Sequence, residues 1–116
     1  MDPVITPLIA AVTTNIRFLV VRTAPASGDY LEGVLAAAEM ERCCALLEQA
    51  LGPPLKPFRT AATLEPSMRR LVERLGGIRQ DQCLYLQLQA DGHSRYASLW
   101  PWASDPNRLT LKLGVL

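Results

Sequence analysis

The last third of the chain constrains the fold most. Leu84, Leu86 and Leu88 alternate with Cys83, Tyr85, Gln87 and Gln89. Tyr96, Ser98, Trp100 and Trp102 alternate with Arg95, Ala97 and Leu99, and Leu109, Leu111, Leu113 and Val115 alternate with Arg108, Thr110, Lys112 and Gly114. Alternation over six to eight residues is the mark of a strand with one buried face. Ala90-Asp91-Gly92-His93-Ser94 supplies an Asp-Gly hairpin turn between the first two segments, and Ser104-Asp105-Pro106-Asn107 a turn between the last two. The pattern predicts a three-stranded meander with one leucine face and one mixed face. Pro101 cannot donate to a ladder, so it belongs at a strand end or on a sheet edge.

Upstream, Ile16 to Arg22 is rich in β-branched and aromatic residues and reads as a strand. Apolar side chains occur in both of its alternating sets, which suits a central strand covered on both faces. Thr6-Pro7 fits a helix start, and a short helix is expected from Pro7 to Thr13. Ala24 to Gly28 is a loop by composition, with Ser27 or Asp29 placed to cap a helix after it.

From about Tyr30 to Leu51 the spacing predicts a long helix. At 100° per residue, Gly33, Ala36, Ala37, Met40, Cys43, Cys44, Leu47 and Leu51 fall in one stripe. Leu31, Leu35 and Leu46 form a weaker strip opposite, and Gly52-Pro53-Pro54 ends the helix. A second helix is predicted from Pro66 to Leu75, where Leu64, Met68, Leu71, Val72 and Leu75 make one apolar stripe and Gly76-Gly77 the stop. The resulting order, (α)-β-α-α-β-β-β, implies a single α+β domain over residues 1–116. Its antiparallel sheet would have about four strands, with two main helices on one face. Whether the first strand pairs with the last or with the first of the meander is left open.

Length and composition fit this picture. A chain of 116 residues with 49% hydrophobic and 20% charged residues can bury a core. The apolar run Leu8–Val12 is too short for a signal-peptide core, and no stretch reaches the length of a membrane span. Three cysteines, two of them adjacent, argue against a disulfide framework and for a reducing, cytoplasmic setting.

Candidate chemistry is sparse. The single histidine, His93, falls in the hairpin turn, with no nucleophile elbow to serve. Cys43, Cys44 and Cys83 form no C-x-x-C pair, so they read as buried structural thiols, and neither a metal nor a cofactor is expected. No glycine-rich phosphate loop is present. No catalytic residues are assigned, which favours a non-catalytic protein and leaves enzyme activity open.

Two surfaces stand out. Residues 29–51 carry a net charge of −4 and residues 52–82 a net charge of +3, so acidic and basic segments can neutralise each other within one chain or across a dimer. The alternative is an anion site built from Arg59, Arg70, Arg74 and Arg79, because the planar guanidinium binds two oxygens at once. The second surface is Trp100-Pro101-Trp102. In a strand both indoles project to one face together with Tyr96, and Tyr85, Gln87 and Gln89 would lie across the hairpin from them. Tyr96, Trp100 and Trp102 are candidate partner-binding residues.

The function expected from these features is a protein-interaction or assembly module, either a homodimer or bound to another protein. The alternative is a binder of, or enzyme acting on, a small anionic or aromatic ligand through an arginine and aromatic pocket. Net charge of +1 and the absence of a nucleic-acid-binding signature argue against nucleic acid, and nothing points to a membrane.

Overall fold

The computed structural model describes residues 2–23, 29–58, 66–74, 79, 81–88 and 94–115. Its elements in chain order are α1 (Ile5–Asn15), β1 (Phe18–Thr23), β2 (Tyr30–Ala36), a 3-10 turn (Ala37–Glu39), α2 (Met40–Leu51), α3 (Pro66–Arg74), β3 (Cys83–Leu88), β4 (Ser94–Pro101) and β5 (Arg108–Val115). The fold is α+β. One sheet of five strands runs in the order β1-β2-β5-β4-β3, and every neighbouring pair is antiparallel.

The long helix expected over residues 30–51 is half strand. Tyr30–Ala36 pairs with both β1 and β5. Leu31 and Leu35 are buried in the core, while Tyr30 and Glu32 face the other way. Within this window a period of two fits as well as a period of 3.6, because Gly33, Ala36 and Ala37 suit either. Gly33 is the residue that decides. A Cβ there would lie 2.7 Å from the Phe18 ring of β1, so glycine lets the neighbouring aromatic close over β2. From Met40 onward the helical stripe holds, with Cys43, Leu47 and Leu51 buried. Gly52, at φ 82°, terminates α2 in a conformation other residues rarely adopt.

The first strand is not central. Among the described residues β1 pairs only with β2, and it is β2 that joins the last strand. Leu19, Val20 and Val21 are each 48% exposed.

The core lies on one face of the sheet. Leu31 and Leu35 of β2, Leu109, Leu111 and Leu113 of β5, Ala97 and Leu99 of β4, and Cys83 and Tyr85 of β3 meet Ile5, Leu8, Ile9 and Val12 of α1 and Cys43, Leu47 and Leu51 of α2. α1 is therefore one of the two helices on this face. α3 buries Val72 while Arg69, Arg70, Glu73 and Arg74 are exposed, and Val72 lies outside the main cluster.

The leucines of β3 point away from α1 and α2. Cys83 pairs with Leu99, Tyr85 with Ala97 and Gln87 with Arg95, which puts these residues on the helix-covered face and Leu84, Leu86 and Leu88 on the other. Because Cys83 through Leu86 are all apolar, hydrophobic alternation assigns neither face, and contact with α2 sets the register. The expectation that Tyr85 and Gln87 sit beside the indoles is corrected by the same pairing. Gln89 and His93 lie outside the described residues.

An ion pair ties the N-terminus to the sheet. The Asp2 carboxylate accepts the N–H groups of Val4 (2.9 Å) and Ile5 (2.8 Å) at the start of α1. It also accepts from Arg95 Nε at 2.8 Å, while Arg95 Nη1 donates to Gln87 Oε1 at 2.7 Å. Arg95 sits in the inward set of β4, so its charge needs these partners.

Candidate functional site

The face opposite α1 and α2 carries an aromatic layer. Trp100 pairs with Thr110 across the β4–β5 ladder, on the side opposite Leu99 and Leu109. Trp102 follows the end of β4. Its backbone N–H bonds the Arg108 carbonyl, and its indole Nε1 donates to Thr110 Oγ1 at 2.8 Å. Thr110 is only 2% exposed beneath it. Both indoles are half-buried and share one face, with the side chain of Tyr96 buried on the same side. Tyr30 completes the layer, since its ring lies close over Gly114 with the Tyr96 hydroxyl beside it.

Cations bracket these rings. Arg22 and Arg108 lie 5.7 and 5.6 Å from the Trp102 ring centre, and Lys112 Nζ lies 4.7 Å from that of Trp100. Each contact is worth roughly 0.5–1 kcal/mol at a partly exposed site. Glu32 stands among them, 3.9 Å from Arg22 and 3.8 Å from Lys112, and it accepts a hydrogen bond from the Tyr30 hydroxyl. Burial, with Tyr96 and Glu32 nearby, pushes the Tyr30 hydroxyl up to about 12. Asp105 holds Arg108 at 3.1 Å. The result is an aromatic platform that carries charges of both signs.

The arginine cluster reads differently. Arg59 lies outside the described residues, Arg70 and Arg74 are exposed on α3, and Arg79 pairs with Asp81 at 3.6 Å. Neither of two cavities on the described surface has any of these arginines among its described lining. One, of about 570 Å³, is lined by Ala37, Met40, Phe58, Pro101, Pro106 and Leu109, with Asp81 as its charged group. The other is an apolar groove between α1 and α2, lined in part by Pro3, Val4, Leu46 and Ala50.

The three cysteines meet at the seam of α2 and β3, around Tyr85. All are free thiols. Burial pushes Cys43 up to about 12 and Cys83 up to about 11, and it raises Cys44 as well. Burial, with Cys44 and Cys83 beside it, also raises the pKa of the Tyr85 hydroxyl. Thiols of this kind stay protonated at neutral pH and make poor nucleophiles. Among the described residues, no group of three or more His, Cys, Asp or Glu side chains is placed to hold a metal ion. No helix among them is long and apolar enough to cross a membrane.

Arg22, Glu32 and Tyr30 belong to the platform but did not stand out in the sequence, because residues 30–36 read as helix and Ile16–Arg22 as a central strand. Lys112 did not stand out either, because as one of the polar residues alternating with the leucines of β5 it reads as an ordinary solvated side chain. No protein-family model matches the chain, and neither a curated protein nor a solved structure matches it.

Proposed function

We propose that the protein is a non-catalytic interaction module that forms a homodimer by packing the aromatic layers of two copies against each other. The observation that carries this reading is the pair of half-buried indoles on the sheet face opposite α1 and α2. A symmetric interface needs a patch that complements itself. Here Arg22, Arg108 and Lys112 stand beside Glu32 and Asp105, so a two-fold can bring opposite charges together. Tryptophan, tyrosine and arginine are also the residues in which interface energy concentrates. The cysteines support a structural rather than a catalytic role, and a reducing cytoplasm would keep them as thiols.

Both tryptophans of the chain lie on this face, so intrinsic fluorescence reports on it directly. Sedimentation across micromolar to millimolar concentration is expected to show mass rising from one chain to two. Tryptophan emission should move to shorter wavelength over the same range. Lys112→Glu is expected to weaken the association. A mass of one chain up to about 1 mM, where even a weak dimer would form, would refute the proposal.

A further inference from the structure

We propose that β1 is an acceptor edge on which an extended, acid-flanked segment of a partner protein adds as a sixth strand. The two edges of the sheet are treated differently. Beside β3, Lys56 forms a bridge to Leu84 through Lys56 N–H to Leu84 O (3.2 Å) and Leu84 N–H to Lys56 O (2.9 Å). The Lys56 side chain is then sealed in, 2% exposed, with Nζ donating to the carbonyls of Gln82 (2.6 Å) and Pro57 (3.1 Å). That edge is plugged. Among the described residues, nothing pairs with the outer side of β1.

β1 is also apolar where an edge strand is usually charged. Leu19, Val20 and Val21 are exposed in succession, so side chains on both faces of the strand lack cover. An exposed apolar edge is a template for another strand. Backbone hydrogen bonds supply affinity in such an addition, and alternate side chains supply selectivity.

Charge selects the occupant. The segment 17–23 carries Arg17 and Arg22 and no acid. A second copy paired through β1 would line two Arg17 and two Arg22 side chains along one short seam. A segment with an apolar centre and acidic ends turns the same arginines into attractive contacts. This goes beyond the homodimer reading; Arg22 touches both surfaces, so Arg17, which belongs to the β1 edge alone, is the residue that separates the two.

The probe is a fluorescein-labelled peptide of about seven residues, alternating valine and threonine with glutamate at each end, the length of an ordinary strand. Fluorescence anisotropy is expected to show binding that weakens as salt rises. The same peptide with lysine ends should bind at least about tenfold more weakly, and Arg17→Glu should abolish that preference. Methylating alternate backbone nitrogens of the peptide should abolish binding. Amide NMR shifts should concentrate in residues 17–23. No binding at about 1 mM, equal binding of the two peptides, or shifts centred on the indole face would overturn the proposal. So would shifts of the β1 amides that depend on protein concentration without peptide, which would show a second copy on the edge.

Discussion

Replacing Asp2 by asparagine keeps an oxygen acceptor for the helix N–H groups and removes the charge that faces Arg95. Burial opposes ionisation of Asp2, but the Ile5 N–H, the Arg95 guanidinium and the Val4 N–H outweigh it and hold the carboxyl at about 2, against an ordinary value of 3.8. A depression of nearly two units corresponds to about 2.5 kcal/mol at 1.36 kcal/mol per unit. Solvent screening takes little away, because the Asp2 and Arg95 side chains are only 12% and 11% exposed. Because the folded pKa lies below the unfolded one, this contribution is fully present above the unfolded value and is lost as pH falls through about 2. Asp2→Asn should therefore cost about 2–3 kcal/mol at neutral pH, and Arg95 left without its partner pushes toward the upper end. For a chain of this size that is about 8–12 °C in Tm. Thermal melts of both proteins from about pH 7 down to about pH 2 measure it. The gap should hold to about pH 5 and narrow from about pH 4 to about pH 2, where the unfolded chain takes up the proton while the native carboxyl stays ionised. Equal stability at neutral pH would refute the reasoning. So would a gap that stays constant down to pH 2, since the shifted pKa would then not be its source.

Gly33→Ala should destabilise by about 1–3 kcal/mol through the clash with Phe18, and Phe18→Leu in the same chain should recover part of the loss; chemical denaturation of the single and double variants decides. Cys43 and Cys83 should react with a thiol reagent at about pH 8 far more slowly in the native protein than in denaturant, because burial holds both in the thiol form; fast native labelling of all three cysteines would contradict the α2–β3 seam.

The α+β class, β4, β5, α3 and the glycine stop of α2 could be read from periodicity, because each of those segments fits one period only. β2 could not. Gly33, Ala36 and Ala37 are small enough to sit in a helical stripe, and the Phe18 ring that demands a glycine comes from another strand. The facing of β3 was hidden for a related reason. Four consecutive apolar residues, Cys83 to Leu86, leave the side undecided until α2 offers its cysteines to Tyr85. The shared face of Trp100 and Trp102 followed from strand alternation alone. Their cationic neighbours did not, since Arg22 reaches Trp102 only because β1 stands beside β2 at the open edge. The Asp2–Arg95 pair spans almost the whole chain, and only the inward position of Arg95 in β4 hinted that an acid must be brought to it.

The position of β5 between β2 and β4 has a consequence for synthesis on the ribosome. The strand that joins the two halves of the sheet is translated after every other element described, so the β1–β2 hairpin and α2 emerge with their apolar sides waiting for it. Contacts this distant in sequence close slowly. A nascent chain stalled before residue 108 should therefore recruit holdase chaperones, and release from them should coincide with the emergence of the closing leucines.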